Sequence, residues 1–200
     1  MCGFLVFFPT GNKKLFNKEK FKSAAKLIDH RGRSEFKELY TSEINFAFHR
    51  LSIRDLSPKG SQPMYSHNKR FIMVFNGEIY NSSELKKLLT IKLKGTSDSE
   101  VLINLYQKFG NKFLKLVKGM FSIIIYDKYK KECFVARDRF GIKPLYYFKN
   151  KDFLICSSEI KPLLHYLKIN SFNTVKFGEL FFRQNLDGGN KTFFESIYSF

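Results

Sequence analysis

The N-terminal segment of the chain carries a thiol that could act as a nucleophile. The sequence begins Met1-Cys2-Gly3 and continues as a short apolar run through Phe8, the length of one buried strand. If Met1 is removed, Cys2 carries a thiol and a free α-amine, whose ordinary pKa values are roughly 8.5 and 7.7–8.0. The amine can then accept the thiol proton near neutral pH, which is how an N-terminal nucleophile is activated. Alternatively, Cys2 is simply a small apolar residue at the start of a strand.

A guanidinium and an amide could contact a substrate. Arg50 lies in an apolar, alternating segment that predicts a strand over 46–53. It could bind a carboxylate through two parallel hydrogen bonds, or form an internal ion pair with Asp55 or a neighbouring acid. Asn76-Gly77 is typical of a tight hairpin turn. Such a turn would also present a side-chain amide and a backbone N–H to one point, as an oxyanion hole does.

An acidic residue stands where a helix is expected to begin. Ser97-Asp98-Ser99-Glu100 has the pattern of a helix cap, and Gly110 is expected to end that helix. Asp98 could bind a substrate ammonium, or merely interact favourably with the positive end of the helix dipole.

The elements around these residues predict an α+β fold. Apolar residues at helical spacing indicate a helix over 17–28, and capping patterns indicate helices after Asn81 and after Ser97. Strands are expected over 71–75 and, after the turn at Asn76-Gly77, over 78–80. Further strands are expected over 120–126, 132–137, 144–148 and 153–157, with a strand-like segment over 176–184. Because the strands cluster without regular βαβ alternation, we expect antiparallel sheets.

Composition limits the possible functions. The chain has 200 residues, is 44% hydrophobic and contains 24 Phe, so one globular domain over 1–200 is expected. No apolar stretch is long enough to span a bilayer, and three cysteines do not indicate a disulfide framework, so we expect a cytoplasmic protein without membrane contact. The net charge of +17 comes from lysines spread over the whole chain, without a nucleic-acid-binding motif. We therefore expect a solvated basic surface and no nucleic-acid partner.

No metal site is predicted, because the four histidines lack ligand spacing with cysteines or acids. The charged segment 137–144 is interpreted as a structural corner in which Asp138 pairs with a neighbouring arginine and Gly141 makes the turn.

Taken in order, several short motifs closely resemble the glutaminase half of glutamine-dependent asparagine synthetases, a class II glutamine amidotransferase. They are Met1-Cys2-Gly3, His30-Arg31-Gly32, His49-Arg50-Leu51-Ser52-Ile53, Gln62-Pro63-Met64, Phe75-Asn76-Gly77-Glu78, Ser97-Asp98, Gly119-Met120-Phe121, Arg137-Asp138-Arg139 with Gly141-Ile142-Lys143-Pro144, and Ser158-Glu159. The family usually has Pro-Asp where this chain has Arg33-Ser34.

The resemblance implies an N-terminal-nucleophile hydrolase fold, an αββα sandwich of two antiparallel sheets. It also implies that Cys2 attacks the side-chain amide of L-glutamine, that Asn76 and Gly77 hold the oxyanion, and that a Cys2 thioester is hydrolysed to glutamate. By the same resemblance, Arg50 binds the α-carboxylate and Asp98 and Glu78 bind the α-amino group. The backbone of Leu51, Ser52 and Ile53 lines the pocket.

The resemblance also implies a partner. The synthetase domain is expected to be absent from this chain, so ammonia would pass to a synthetase domain or subunit, and the chain could form a homodimer. No cofactor is expected in this domain, since ATP and Mg²⁺ belong to the synthetase. The alternative function is a catalytically silent, glutaminase-like binding or regulatory module that docks a synthetase partner or an acidic ligand.

Overall fold

The computed structural model describes residues 1–11, 15–183 and 189–200. The strands are β1 (Gly3–Pro9), β2 (Glu35–Tyr40), β3 (Asn45–Arg50), β4 (Met64–Tyr65), β5 (Phe71–Ile79), β6 (Gly119–Asp127), β7 (Glu132–Arg137), β8 (Tyr146–Lys149), β9 (Phe153–Ser157) and β10 (Tyr198–Ser199). The helices are α1 (Lys18–Lys26), α2 (Ser82–Lys86), α3 (Asp98–Phe109), α4 (Ile160–Leu167) and α5 (Thr174–Arg183).

The strands form two antiparallel sheets. The order is β10-β8-β9-β1-β3-β2 in the six-stranded sheet and β4-β5-β6-β7 in the four-stranded sheet. Each pairing is antiparallel, and the longest register joins β5 to β6 from Phe71 opposite Asp127 to Ile79 opposite Gly119. The expected α+β class with antiparallel sheets is confirmed.

The sheets stack face to face because alternate residues of each strand point to opposite sides. One buried cluster fills the space between the sheets. It contains residues from both of them: Phe4, Val6, Phe46, Phe48, Ile72, Val74, Ile124 and Tyr126. The intervening residues of the same strands point outward, and we call the space between the sheets the interlayer core.

Helices cover both outer faces. Leu5 and Phe7 of β1 pack against α1 and α4 through Phe21 and Leu163. On the other side, a second cluster joins the outer face of the four-stranded sheet to α2 and α3; its members include Met73, Ile123, Leu85, Leu102 and Leu105. The layer order is therefore helix, sheet, sheet, helix, as the family resemblance implied.

The α3 helix, which positions Asp98, begins and ends as its sequence predicts. The Ser97 side chain accepts a hydrogen bond from the Glu100 N–H at 3.2 Å, and Gly110 follows the last helical residue with a φ of +55°.

Two local predictions were wrong, and one strand was missed. The strand expected over 46–53 ends at Arg50, because the next N–H groups bond to side chains: Leu51 N–H to the Cys2 thiol and Ser52 N–H to Ser34 Oγ. Strand β2 was not predicted at all. The segment 176–183 is helical rather than extended, because Asn173 accepts the Lys176 N–H and so caps α5; Gln184 lies outside the described residues.

Within the described part of the chain, no helix is both long enough and apolar enough to span a bilayer.

Candidate active site

A cavity opens at one end of the interlayer core. Its volume is about 690 Å³ with the mouth included. All nine residues proposed for the site from the sequence line it: Cys2, Arg50, Leu51, Ser52, Ile53, Asn76, Gly77, Glu78 and Asp98. Met1, Gln62, Ser97, Met120 and Lys143 are among the other lining residues.

The two-residue repeat of the strands brings three of these side chains together. Cys2 precedes β1 in the same alternation as Phe4 and Val6, and packs against the interlayer core. Arg50 follows Phe46 and Phe48 along β3, and Asn76 follows Ile72 and Val74 along β5. Because each continues an inward-facing row, thiol, guanidinium and amide converge at the same end of the core.

The Cys2 thiol is held against the start of the next loop. Its Sγ accepts a hydrogen bond from the Leu51 N–H at 3.4 Å and lies 3.8 Å from the Leu51 carbonyl oxygen. Burial raises the pKa of the Cys2 thiol, and the Leu51 N–H, the terminal amine and Arg50 only partly oppose that effect. A protonated thiol needs a base to become a nucleophile.

The backbone of Cys2 is fixed by Arg31. The Arg31 Nε donates to the Cys2 carbonyl oxygen at 3.0 Å, and its Nη1 bonds Glu159 at 3.0 Å. His30 Nε2 donates to the same Glu159 oxygen at 2.8 Å. The side chain of Arg31 also occupies the space where a Cβ on Gly3 would lie.

Asn76-Gly77 does not form the turn that the dipeptide indicates. Both residues lie inside β5, opposite Ser122 and Phe121 of β6. Glycine is needed at 77 because a Cβ there would collide with the Met120 carbonyl oxygen and approach Phe121 Cα at 2.8 Å. The Asn-Gly pair therefore reflects close strand packing rather than reversal of the chain.

The edge of β5 leaves the Gly77 N–H facing the cavity. Alternate residues of a strand direct their N–H groups to the same side, so the N–H groups of residues 75, 77 and 79 point away from β6. The Phe75 N–H donates to Gln62 Oε1 at 2.6 Å, and the Ile79 N–H donates to Asp98 Oδ2 at 3.0 Å. Among the described residues, no side chain accepts from the Gly77 N–H between them.

The Asn76 amide is a second unused donor. Its Nδ2 is buried and has no hydrogen-bond partner among the described residues, although it lines the cavity. A buried donor without a partner is costly, and such an atom is typical of a site completed by a ligand. Two donors, Asn76 Nδ2 and Gly77 N–H, therefore adjoin the cavity that contains Cys2.

Arg50 is buried and partly engaged by the protein. Its guanidinium donates to the carbonyl oxygens of Asp55 and Ser57, the latter at 2.9 Å, and approaches Glu35 at 3.4 Å. The internal ion pair considered from the sequence is thus formed with Glu35, while Asp55 is bound through its backbone carbonyl oxygen. Five N–H donors leave the guanidinium capacity for a further anion.

Asp98 and Glu78 bring two carboxyl groups to the lining of the cavity. Burial raises the pKa of the Asp98 carboxyl, while the Ile79 N–H and Arg54 lower it. Arg54 lies 3.8 Å from Asp98 and 4.0 Å from Glu78. A buried carboxylate of this kind is stabilised in its charged form by a cation.

The loop 51–57 forms one wall of the cavity and is fixed by Asp55. Its Oδ1 accepts from the N–H and hydroxyl of Ser57, at 2.9 and 2.6 Å, and its Oδ2 accepts from the Thr96 N–H at 2.8 Å. The Ser57 hydroxyl and these N–H groups lower the pKa of Asp55 to about 2. At 34, where the chain departs from the family pattern, Ser34 Oγ accepts from Ser52 N–H at 3.1 Å and supports the same loop.

The charged corner after β7 is structural, but not in the predicted way. The Asp138 carboxylate accepts backbone N–H groups from Phe121, Phe140, Ile142 and Lys143 instead of pairing with an arginine. Gly141 makes the turn with a φ of +63°, as expected.

No group of three or more metal-ligating side chains occurs among the described residues.

Sequence reasoning did not assign roles to Gln62 or Arg31, although both lie in the motifs that carry the resemblance. The sequence did offer a signal: each is a polar residue within a motif, and no predicted turn or helix cap accounts for its presence there. Their partners are backbone atoms of Phe75 and Cys2, which only the folded chain brings into contact.

Comparison with known proteins identifies the family of the chain. A family model described as a glutamine amidotransferase domain matches residues 1–200. The chain is 46% identical over 143 residues to asparagine synthetase [glutamine-hydrolyzing] 2 of Bacillus subtilis, covering 71% of this chain and 19% of that protein. It is 35% identical to a putative asparagine synthetase [glutamine-hydrolyzing] 2 of Methanocaldococcus jannaschii, covering 85% of this chain and 36% of that protein.

A solved structure shares the fold. Glutamine phosphoribosylpyrophosphate amidotransferase of B. subtilis superposes with a TM-score of 0.63 at 18% identity, over 83% of this chain and 43% of that one. The chain thus spans well under half the length of these relatives.

The hydrogen bonds of Asp55 generate a prediction. Replacing Asp55 with Asn should destabilise the fold by about 1–3 kcal/mol at pH 7, because an amide cannot accept all three bonds. The folded-state pKa lies below its ordinary value of 3.8, so the carboxylate's contribution is present above about pH 4. It is lost as the pH falls towards 2. Urea unfolding at pH 7 and pH 3 measures this.

The matched control is Asp29→Asn, at an exposed position, which should change stability by less than about 0.5 kcal/mol. A difference between wild type and Asp55→Asn that does not shrink at low pH would contradict the assignment.

Proposed function

The chain belongs to the glutamine amidotransferase domain family, and on that premise we propose that it hydrolyses L-glutamine to glutamate and ammonia through Cys2, once Met1 has been removed. The observation that carries this proposal is the cavity in which a buried, unpartnered amide donor, Asn76 Nδ2, is brought together with the Cys2 thiol.

The first half-reaction forms a thioester. The α-amine of the mature Cys2 takes the thiol proton, and Sγ attacks the side-chain amide carbon of glutamine. The negative charge moves to the amide oxygen, where Asn76 Nδ2 and the Gly77 N–H stabilise it. The amine then gives its proton to the leaving nitrogen, the C–N bond breaks, and ammonia departs. The raised pKa of the thiol makes the amine necessary as base.

The second half-reaction releases glutamate. Water attacks the thioester carbon while the amine takes its proton, and the same two donors stabilise the second oxyanion. Collapse breaks the C–S bond, and the proton returns to sulfur.

The two ends of glutamine are assigned by charge. Arg50, whose one ion pair among the described residues is with Glu35 at 3.4 Å, binds the α-carboxylate. Asp98, assisted by Glu78, binds the α-ammonium, which favours the charged form of a carboxyl whose pKa burial has raised. The backbone of 51–53 lines the side of the pocket between them.

No cofactor enters these steps, since nucleophile, base and oxyanion donors all come from this chain. ATP and Mg²⁺ are assigned to a synthetase, which would activate the acceptor of the ammonia. We place the protein in the cytoplasm, where its three free cysteines would remain reduced.

The partner is a synthetase domain or subunit docked over the cavity mouth. The curated relatives are named as glutamine-hydrolysing asparagine synthetases and extend well beyond the matched region. Apolar side chains close in sequence to cavity-lining residues are exposed to solvent, and we call them the apolar rim. Leu56 follows Asp55 and is 78% exposed, and Phe140 lies three residues before Lys143 and is 89% exposed. Ile53 and Ile142 extend this apolar rim. A synthetase that covered the apolar rim would also close the cavity mouth, and ammonia could then pass to it without entering bulk water.

Loss of the nucleophile or of the oxyanion donor tests the reaction. Cys2→Ala should abolish glutamate release from glutamine, and Asn76→Ala should lower kcat by about 10²–10³. Thermal unfolding should show Asn76→Ala folded, because among the described residues Asn76 Nδ2 makes no hydrogen bond that could be lost. Cys2→Ala loses the bond from the Leu51 N–H, and the same measurement checks that this variant is folded. The control is Asn111→Ala, at an exposed position, which should retain wild-type kcat. Glutamate release by Cys2→Ala at the wild-type rate would leave only a silent binding module.

The apolar rim predicts a partner-specific defect. In the complex with its synthetase, Phe140→Ser should lower glutamine-dependent amide formation about tenfold, while ammonia-dependent synthesis and glutamate release by this chain alone are unchanged. The control is Tyr129→Ser, 75% exposed in the turn at the opposite end of β6. If glutamine-dependent amide formation is the same with Phe140→Ser as with Tyr129→Ser, the synthetase does not dock on the apolar rim.

A further inference from the structure

We propose that Lys143 is a positioning residue whose buried ammonium, together with Arg31, keeps the α-amine of the mature Cys2 in its neutral, proton-accepting form. This inference rests on the proposed glutaminase function and assigns a role to a side chain that the mechanism above does not use.

Lys143 is a buried cation without a compensating anion. It is only 6% exposed and lines the cavity together with Cys2. Among the described residues, no carboxylate forms a salt bridge with it; its Nζ lies 3.2 Å from the Met1 thioether sulfur, a weak acceptor. A lysine is rarely buried without a partner, because desolvation of the ammonium is unfavourable.

The backbone around Lys143 is rigidly held, so the position of the cation is built into the fold. Its N–H donates to Asp138 Oδ2 at 3.0 Å, and its carbonyl oxygen accepts from Arg137 Nε at 2.7 Å. The left-handed turn at Gly141 directs the chain into this position.

Met1 is the residue that both cations contact. Lys143 Nζ and Arg31 Nη2 lie 3.2 and 4.0 Å from its sulfur. Arg31 also donates to the Cys2 carbonyl oxygen. When Met1 is removed, the cations lose this neighbour, and the new terminal amine belongs to the residue whose carbonyl oxygen Arg31 binds and which lines the same cavity as Lys143.

The local charge balance disfavours a further positive charge at this point. Burial, Arg31 and Lys143 already lower the pKa of the Met1 amine, against the opposing effect of the Cys2 thiolate. Burial is likewise the main cause that lowers the pKa of Lys143. An amine one residue further into the cavity meets the same cations more directly.

The charged groups that face this point come from several elements. The cations are Arg31 after α1, Arg50 of β3 and Lys143 before β8; the anions are Glu78 of β5, Asp98 of α3, Asp138 after β7 and Glu159 before α4. Two anions are already committed: Asp138 accepts four backbone N–H groups, and Glu159 is bound by His30 and Arg31. Of the cations, Arg31 is bound by Glu159 and Arg50 by Glu35, and Arg54 lies beside Glu78 and Asp98. Among the described residues, Lys143 is therefore the cation at this point that has no carboxylate within salt-bridge distance.

Removing the charge of Lys143 should shift the pH dependence of the reaction. In Lys143→Met, which has a side chain of similar length, both the amine and the thiol of Cys2 lose a neighbouring cation, and the pKa of each rises. The acid limb of the kcat/KM profile for glutamate release should therefore move upward by about one pH unit. Lys143→Arg should restore the wild-type limb, and the exposed control Lys151→Met should not move it.

A second measurement does not depend on activity. In the Cys2→Ala background, the rate of N-terminal acylation by acetic anhydride is followed across pH by mass spectrometry of the N-terminal peptide. Adding Lys143→Met should raise the pKa of the amine by the same amount.

The outcomes separate the two proposals. Unshifted profiles in both measurements, with glutamate still released by the wild type, would overturn the role of Lys143 and leave the proposed function standing. Absence of glutamate release from wild type would overturn the proposed function, while the acylation profile would still decide whether Lys143 acts on the amine.

Discussion

The site depends on the two-residue alternation of three strands that face one another across the interlayer core. Cys2, Arg50 and Asn76 each continue a row of inward-facing apolar residues, beyond the point where those rows end. A shift of one residue in any of these strands would turn the polar side chain to the opposite face of its sheet. The register is fixed locally by packing, most tightly at Gly77, where β6 leaves no room for a Cβ.

Burial of the ionisable groups determines what the site needs in order to react. Removing the thiol and Asp98 from water raises the pKa of both, so the thiol needs a base and the carboxyl favours a bound cation. The protein holds the surrounding groups by bonds to backbone atoms: Gln62 along the edge of β5, Arg31 on the Cys2 carbonyl oxygen, and Asp55 within the cavity wall. These contacts leave the Asn76 and Gly77 donors unused, and the site is thus prepared for charge on a substrate oxygen.

Much of this could be predicted from the sequence, because the relevant signals are local. The Ser97 cap, the apolar strand after Cys2 and the ordered motifs identify the elements and the residues that line the cavity. Local signals failed where tertiary contacts decide the conformation. Asn76-Gly77 has the composition of a turn, but pairing with β6 keeps it extended. The apolar alternation continues past Arg50, yet the Cys2 thiol and Ser34 take the next N–H groups. Lys143 was interpreted as part of a structural corner, since its proximity to the N-terminus is visible only in the folded chain.

The central claim is that a free amine and a thiol on the same first residue face a cavity shaped for glutamine. Treatment of the native protein with the glutamine-analogue electrophile diazo-oxo-norleucine, followed by mass spectrometry of its peptides, tests this most directly. We expect one adduct, on the sulfur of Cys2, in a chain that begins at Cys2, and we expect excess glutamine to prevent its formation. A retained Met1, or a Cys2 that remains unmodified while the reagent is in excess, would contradict the account.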